Sequence, residues 1–395
     1  MKKAKDRINP TVNGIKPSGI RKFFDVAAEI PDAISLGVGE PDFVTPWSVR
    51  NAAVRSLQRG YTSYTSNRGL KELREEIAFY LSSRFNLHYD FEKEIFVTVG
   101  ASEAIDVALR ALVTPGDGVL VSDPSYVSYA PGITLAGGVP QPIRTEAKDD
   151  FKLTPQALEK AVTDKSRVII FPYPNNPTGA VMNKKETEEI AAVIKKYDLT
   201  VISDEIYAEL TYGERHVSIC AGEGMKERSV VISGFSKAFA MTGWRLGYIA
   251  APKEISEAML KIHQYVIMCA PTFSQYAALY ALREGRKDGY RDVEYMREQY
   301  DMRRKYLVSG LNKIGLTCFE PRGAFYAFPC VKSTGLSGEV FAERLLREKH
   351  VAVVPGDAFG DSGKDFVRCS YACSLSQLKE ALERIEEFTR GLARC

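Results

Sequence analysis

The sequence has few cysteines and histidines, and almost no excess of charge of either sign. Its 395 residues include seven cysteines and four histidines, with no Cys-x-x-Cys pair and no His-rich spacing. We therefore expect no disulfide framework and no metal site. Reduced thiols are typical of the cytoplasm, which is the location we predict. The net charge is only +3, which gives no electrostatic argument for a nucleic-acid partner.

Long apolar runs are also missing. No stretch approaches the roughly 18 apolar residues that a membrane-spanning helix needs, and the basic segment 1–20 has no apolar run behind it. We therefore expect neither a membrane partner nor a signal peptide. Apolar residues make up 45% of the chain and charged residues 26%, which is ordinary for a globular enzyme. The length favours two or three domains.

Short apolar runs alternate with helical patterns over residues 46–284. Most of the runs are rich in β-branched residues and bounded by Gly, Pro or Asp, which is typical of buried strands. They lie at residues 94–100, 118–123, 139–144, 167–174, 199–205, 229–234 and 246–252. Stretches between them, such as 184–197, have apolar residues at helical spacing. The alternation predicts an α/β fold with a mostly parallel sheet covered by helices on both faces.

The pattern changes after about residue 285. We predict a charged helix over 291–315, strands near 316–319, 324–331, 351–354 and 366–371, and helices near 337–349 and 374–391. The first 45 residues have no strand–helix rhythm and are expected to pack with this smaller α+β unit. The prediction is a large domain of residues 46–284 and a small domain of residues 1–45 plus 285–395.

Polar or small residues follow several of the predicted strands, where ligands of open α/β sheets bind. Gly100-Ala101-Ser102 opens a helix and offers free N–H groups to an anion. The turn 175–179, Asp204 and Lys237 follow later strands, and Arg245 comes eight residues after the lysine. Each alone has a plainer interpretation, namely a helix cap, a tight turn or a surface side chain. Their joint order indicates a ligand site.

In this order of motifs the chain closely resembles the class I/II aminotransferases of fold type I, which depend on pyridoxal 5′-phosphate. The resemblance runs over nearly the whole chain, and jointly the motifs are highly specific. The matching segments are GEPDF (39–43), YTSNRGLKELR (64–74), NNPTG (175–179), SDEIY (203–207), SKAFAMTGWRLGY (236–248) and VRCSYA (367–372). The implied fold is a mostly parallel seven-stranded sheet flanked by helices, with a smaller α+β domain.

The resemblance implies a role for each residue around the cofactor ring. Lys237 would form the Schiff base and, once free, act as the general base, which requires a pKa lowered toward neutrality. Asp204 would pair with the ring nitrogen and keep it protonated. Asn176 and Tyr207 would donate to the phenolic oxygen, and Tyr126 would stack on the ring.

Other positions match the family's contacts to phosphate and substrate. The phosphate contacts would be Gly100, Ala101, Ser102, Ser236 and Arg245. Tyr64 would reach the phosphate of the neighbouring subunit, which implies a homodimer with shared active sites. Arg368 would bind the substrate carboxylate with its planar fork, assisted by Asn176 and the N–H of Gly39. Phe325 could flank the substrate or belong to the core, and Arg21 could reach a distal carboxylate.

The implied activity is a ping-pong transfer of the amino group of an L-amino acid to a 2-oxo acid, with 2-oxoglutarate as the expected acceptor. The chain looks most similar to the aminotransferase A branch, which includes N-acetyl-LL-diaminopimelate aminotransferases, and to nearby aspartate and aromatic aminotransferases. One alternative on the same residues is a β-C–S lyase of the cystathionine β-lyase type. The segment after Lys237 favours the transaminase. Another alternative is a non-catalytic cofactor-binding regulator, which no helix-turn-helix or basic extension supports.

Overall fold

A seven-stranded sheet lies at the centre of the computed structural model, which describes residues 3–17, 30 and 32–392. Its strands are β2 (Ile95–Thr98), β3 (Gly118–Asp123), β4 (Val139–Arg144), β5 (Ser166–Phe171), β6 (Thr200–Asp204), β7 (Ser229–Gly234) and β8 (Gly247–Ala250). Their order is β2-β8-β7-β6-β5-β3-β4. Strand β8 is antiparallel to both neighbours, and the other pairs are parallel. All seven predicted strands are confirmed.

Side chains alternate between the two faces of this sheet, and both faces are covered. Ile169 and Val201 pack into an apolar cluster on one face. Val168, Ile170 and Ile202 pack into a second cluster on the other. Burial on both sides explains why the strands are continuous apolar runs rather than alternating ones.

Helices of the described residues surround the sheet and form the C-terminal part. They are α1 (Pro10–Gly14), α2 (Trp47–Gln58), α3 (Lys71–Phe85), α4 (Ala101–Leu112), α5 (Tyr129–Leu135), α6 (Pro155–Ala161), α7 (Lys184–Lys196), α8 (Lys253–Val266), α9 (Thr272–Asp288), α10 (Arg291–Lys313), α11 (Gly338–Lys349) and α12 (Leu375–Leu392). Helix α7 begins with a capping box, since Asn183 and Glu186 each accept the other's backbone N–H. Among these residues no helix combines the length and apolar character that crossing a membrane requires.

The C-terminal region contributes two small sheets. Strands β9 (Tyr326–Ala327), β11 (Val354–Pro355) and β12 (Val367–Ser370) pair antiparallel in the order β11-β12-β9. Strand β1 (Ile34–Ser35) pairs in parallel with β10 (Val351–Ala352). These strands and helices α10 to α12 share an apolar cluster that includes Ile34 and Leu36. The division into two domains at residues 46 and 284 stays a prediction.

One predicted strand is wrong. Residues 316–319 form no strand, because their backbone groups serve the end of α10 instead. The N–H of Leu316 donates to the carbonyl of Leu311, and the side chain of Asn312 bonds both the N–H and the carbonyl of Cys318. The predicted strand 324–331 is likewise reduced to the short pairing of β9.

Candidate active site

A cavity of about 520 Å³ lies where the parallel strands end. Its lining comes from the segments after β2, β3, β5, β6 and β7 and from the C-terminal strands. The lining residues used below are Gly39, Glu40, Ala101, Ser102, Tyr126, Tyr129, Asn176, Asp204, Tyr207, Ser236, Lys237, Thr242, Arg245, Tyr326 and Arg368. The cavity therefore brings together most of the residues that the sequence predicted for one site.

Lys237 places an amine in the middle of this lining. Its Nζ donates to the carbonyl oxygen of Gly39 at 2.6 Å. Burial lowers the pKa of Lys237 to about 8, with further lowering by Arg368 and Arg245 and an opposing effect of Glu40. A lysine with this pKa has a substantial neutral fraction near neutral pH, so its amine can act as a nucleophile or as a base.

Asp204 ends β6 with a buried carboxylate. Its Oδ2 accepts the hydroxyl of Tyr129 at 2.7 Å, and its Oδ1 accepts the N–H of Ile206 at 3.2 Å. Burial raises the pKa of Asp204, and these two hydrogen bonds oppose the rise. Sequence reasoning missed Tyr129, although it lies three residues after Tyr126 and the two rings meet edge to face at 5.5 Å.

Tyr207 and Asn176 also line the cavity, and each is hydrogen-bonded to a residue of the C-terminal strands. The hydroxyl of Tyr207 is hydrogen-bonded to that of Tyr326 at 2.9 Å, and burial holds the pKa of both phenols above the ordinary value. Asn176 Oδ1 accepts from Arg368 Nη1 at 2.9 Å. Sequence reasoning singled out Phe325 next to Tyr326, but Phe325 is fully buried and packs edge to face on Tyr207.

Arg368 is a buried cation with hydrogen-bonding capacity left over. Only 3% of the residue is exposed, and besides Asn176 it donates to the carbonyl oxygen of Gly37 at 2.6 Å. Its Nε finds no hydrogen-bond partner among the described residues. The central carbon of the guanidinium lies 4.3 Å from the ring centre of Tyr326 and 4.8 Å from that of Phe359. Such a group is suited to bind a carboxylate.

The N-terminus of α4 forms an anion-binding corner of the cavity. Its cap, Gly100, has φ of 80° and supplies no side-chain capping bond. A Cβ on Gly100 would lie 2.6 Å from Nη2 of Arg245, so a side chain here would displace the guanidinium, and the positive φ also favours glycine. Ala101, Ser102 and Ser236 line the same cavity. Backbone N–H groups, the helix dipole and a guanidinium together favour a phosphate.

Some predicted residues lie elsewhere. Tyr64 is 81% exposed and is not part of the lining formed by the described residues of its own chain. Arg21 lies outside the described residues. His88 and His350 are surface residues, whereas His216 and His263 are buried against Glu205 and Glu103.

The sequence matches known proteins over almost its whole length. The model of the family aminotransferase class I and II matches residues 31–385. A Bacillus subtilis (strain 168) protein named YugH is 58% identical over 377 residues, which are 95% of this chain and 97% of that protein. An aspartate aminotransferase of Pyrococcus abyssi is 48% identical over 377 residues, 95% of this chain and 96% of the relative.

The fold matches solved structures equally well. The crystal structure of an aromatic aminotransferase from Pyrococcus horikoshii OT3 superposes with a TM-score of 0.89 at 46% identity, covering 94% of this chain and 99% of that one. The expected fold type I architecture is thus confirmed. On the family match, the sequence identities and the superposition, this chain belongs to the class I and II aminotransferases.

Proposed function

We propose that this aminotransferase moves the amino group of an L-amino acid to a 2-oxo acid, with 2-oxoglutarate as acceptor, in a ping-pong reaction. Its family is generally dependent on pyridoxal 5′-phosphate, and we propose that this cofactor binds at Lys237. The observation that carries the proposal is an amine with a pKa of about 8 in one cavity with the buried carboxylate of Asp204.

The donor and acceptor groups of the cavity fit this cofactor. A phosphate suits the corner formed by α4, Arg245 and Ser236. An aldehyde suits the amine of Lys237, and a ring nitrogen suits the carboxylate of Asp204. The close approach of the Arg245 guanidinium to Gly100 supports the same assignment. When bound, pyridoxal phosphate supplies an electron sink for charge that develops on the substrate's α-carbon.

Lys237 would carry the proton in this reaction. Part of the Lys237 population is neutral near pH 7. Its Nζ can therefore take a proton from the α-carbon of the amino donor, and in the second half-reaction it can return a proton to the α-carbon of the product amino acid. Arg368 and Arg245 lower its proton affinity. A pKa near the working pH would let the same amine both accept and release a proton.

Asp204 would hold a proton on the ring nitrogen through its negative charge. The hydroxyl of Tyr129 opposes the tendency of burial to neutralise this carboxylate. Asn176 would donate to the phenolic oxygen of the cofactor through its amide nitrogen, because its own oxygen already accepts from Arg368. Tyr207 would donate to the same phenolic oxygen, and Tyr126 would cover the face of the ring.

Arg368 would orient the substrate through its α-carboxylate. Its Nε, unpartnered among the described residues, and its contacts with two aromatic rings support this role, because a guanidinium held in place can meet both carboxylate oxygens. The N–H of Gly39, at the edge of the cavity, would supply a second contact.

We also propose that the enzyme is a homodimer with shared active sites. The loop with Tyr64 is tied to the segment after α8, since Asn67 donates to the carbonyl of Met268 and Thr272 donates to that of Ser63. Tyr265, on the adjoining helix, is 86% exposed. Tyr64 and Tyr265 give these two connected segments exposed apolar surface that a second copy would cover, and that copy would receive Tyr64 at its own phosphate.

We place the enzyme in the cytoplasm. The six described cysteines are all free, and none pairs with another. Buried thiols without disulfides are the usual state in a reducing compartment.

The test is a set of half-reactions on the purified holoprotein. Aspartate, aromatic amino acids and N-acetyl-LL-diaminopimelate are added singly without an oxo acid, and the visible absorbance of the bound cofactor is followed. We expect one class to bleach the absorbance and to yield its own oxo acid in stoichiometric amount, and 2-oxoglutarate to restore the absorbance. Release of pyruvate and ammonia from cystathionine without an oxo acid would instead identify a β-C–S lyase.

A further inference from the structure

A buried glutamate–histidine pair connects α4, whose N-terminus faces the cavity, with α8. Glu103 is in the first turn of α4, and His263 is in α8. His263 Nδ1 and Glu103 Oε1 are 2.5 Å apart. The side chain of His263 is fully buried and that of Glu103 is 9% exposed. Neither belongs to the described lining of the cavity, so the roles assigned above do not account for the pair.

The second oxygen of Glu103 holds the turn that leads into the anion-binding corner. Its Oε2 accepts the backbone N–H of Val99 at 2.5 Å. In a capping box an acid at this position takes the N–H of the capping residue itself, which here is Gly100. Glu103 takes the N–H one residue earlier. The N–H groups of residues 101–102 have no acceptor within the helix, and both residues line the cavity.

The carboxylate and a bound phosphate would compete for the same positive helix end. An acid in the first turn is itself attracted by the helix dipole, so its position matters to an anion bound there. Because an ionised carboxylate can only accept, its hydrogen bond with His263 in α8 requires a proton on Nδ1. The ring of His263 also lies 5.4 Å from that of Phe96 in β2. Its Nε2 has no partner in the described part of the chain, so Glu103 is the one hydrogen-bonded contact that fixes the ring there.

We propose that His263 is a positioning residue for the cofactor phosphate. It holds Glu103 on the N–H of Val99, and this bond keeps the turn at Gly100 in the form that leaves the N–H groups of residues 101–102 to the phosphate. The inference rests on the proposed function, because it assigns the anion at α4 to the phosphate of the bound cofactor.

The test compares two ligands that differ only in the phosphate. Full-length apoprotein is titrated with pyridoxal 5′-phosphate and with pyridoxal, and the melting temperature of each variant is measured. We expect His263→Leu to weaken the affinity for pyridoxal phosphate about tenfold, the usual cost of losing a hydrogen bond to a charged group, and to leave the affinity for pyridoxal unchanged. His263→Asn keeps an N–H near the position of Nδ1 and should restore most of the loss.

The matched control is Asp106→Asn, which breaks an exposed ion pair with Arg110 on the same helix and should behave as wild type. Equal weakening of both ligands by His263→Leu, or no weakening, would overturn the inference and leave a merely structural pair. If that variant does not fold, His263→Phe, which keeps a ring and removes both nitrogens, is measured in its place, with the same expectations. A wild-type protein that shows no preference for the phosphorylated ligand would overturn the proposed function itself.

Discussion

Replacing Tyr129 with Phe tests how much the hydroxyl of Tyr129 lowers the pKa of Asp204. The substitution removes the 2.7 Å hydrogen bond to Oδ2 and keeps the ring that packs on Tyr126. Burial already raises the pKa of Asp204, and Tyr129 is the first of the groups that oppose the rise. A hydrogen bond to a charged group contributes about 1.5–3 kcal/mol, so we expect the pKa of this carboxyl to rise by about one to two units.

The assay is the pH dependence of kcat/KM with a donor found in the half-reactions. Because Asp204 must be ionised to stabilise a protonated ring nitrogen, the acidic limb should move to higher pH in Tyr129→Phe. On the acidic limb, below both pKa values, the loss should reach about ten- to hundredfold, and it should shrink as the pH is raised. Tyr173→Phe is the control, since it also removes a buried hydroxyl that bonds Leu153 N–H at 2.8 Å. Identical pH profiles for the two variants would refute the reasoning.

Three further predictions concern charge. The apoprotein should react with pyridoxal phosphate faster as the pH rises, with a midpoint near 8, because only the neutral amine of Lys237 is nucleophilic; absorbance stopped-flow gives the midpoint, and Lys237→Ala should show no such reaction. Arg368→Lys should raise KM for the amino donor about tenfold or more while the protein keeps its cofactor spectrum, because an ammonium cannot replace the planar fork. Glu294 is partly buried, which alone would raise its pKa, but hydrogen bonds from three arginines outweigh this and lower the pKa to about 2. Its stabilisation is therefore complete above the unfolded pKa of about 4.3 and disappears as the pH falls through about 2. Glu294→Gln should unfold at lower urea concentration than wild type at pH 7, and the gap should close on acidification.

The central sheet could be predicted because each strand is specified by its own residues. Apolar β-branched runs such as 229–234 are buried on both faces, and no distant contact is needed to identify them. The residues that follow those strands were predicted as site residues because the carboxyl ends of parallel strands lie at one edge of the sheet. The structure places Asp204, Lys237 and Arg245 at that edge.

The parts that the sequence did not predict depend on contacts between distant segments. Tyr326 and Tyr207 are 119 residues apart and meet through their hydroxyl groups. Phe359 reaches Arg368 only because two short strands turn back on each other. The prediction of a strand at 316–319 was wrong for a related reason. The side chain of Asn312 hydrogen-bonds the N–H and the carbonyl of Cys318, which a strand pairing would have used. Local pattern carries no information on such partners.

The reversed direction of β8 has a consequence for how this enzyme can vary. Since β7 and β8 are neighbours that run in opposite senses, residues 235–246 must leave and re-enter the sheet at the same edge. The amine of Lys237 and the guanidinium of Arg245, which lies beside Gly100, both belong to this connecting segment. An insertion or deletion within this segment would change the spacing between the amine and the guanidinium, whereas a longer crossover between two parallel strands would leave that spacing unchanged.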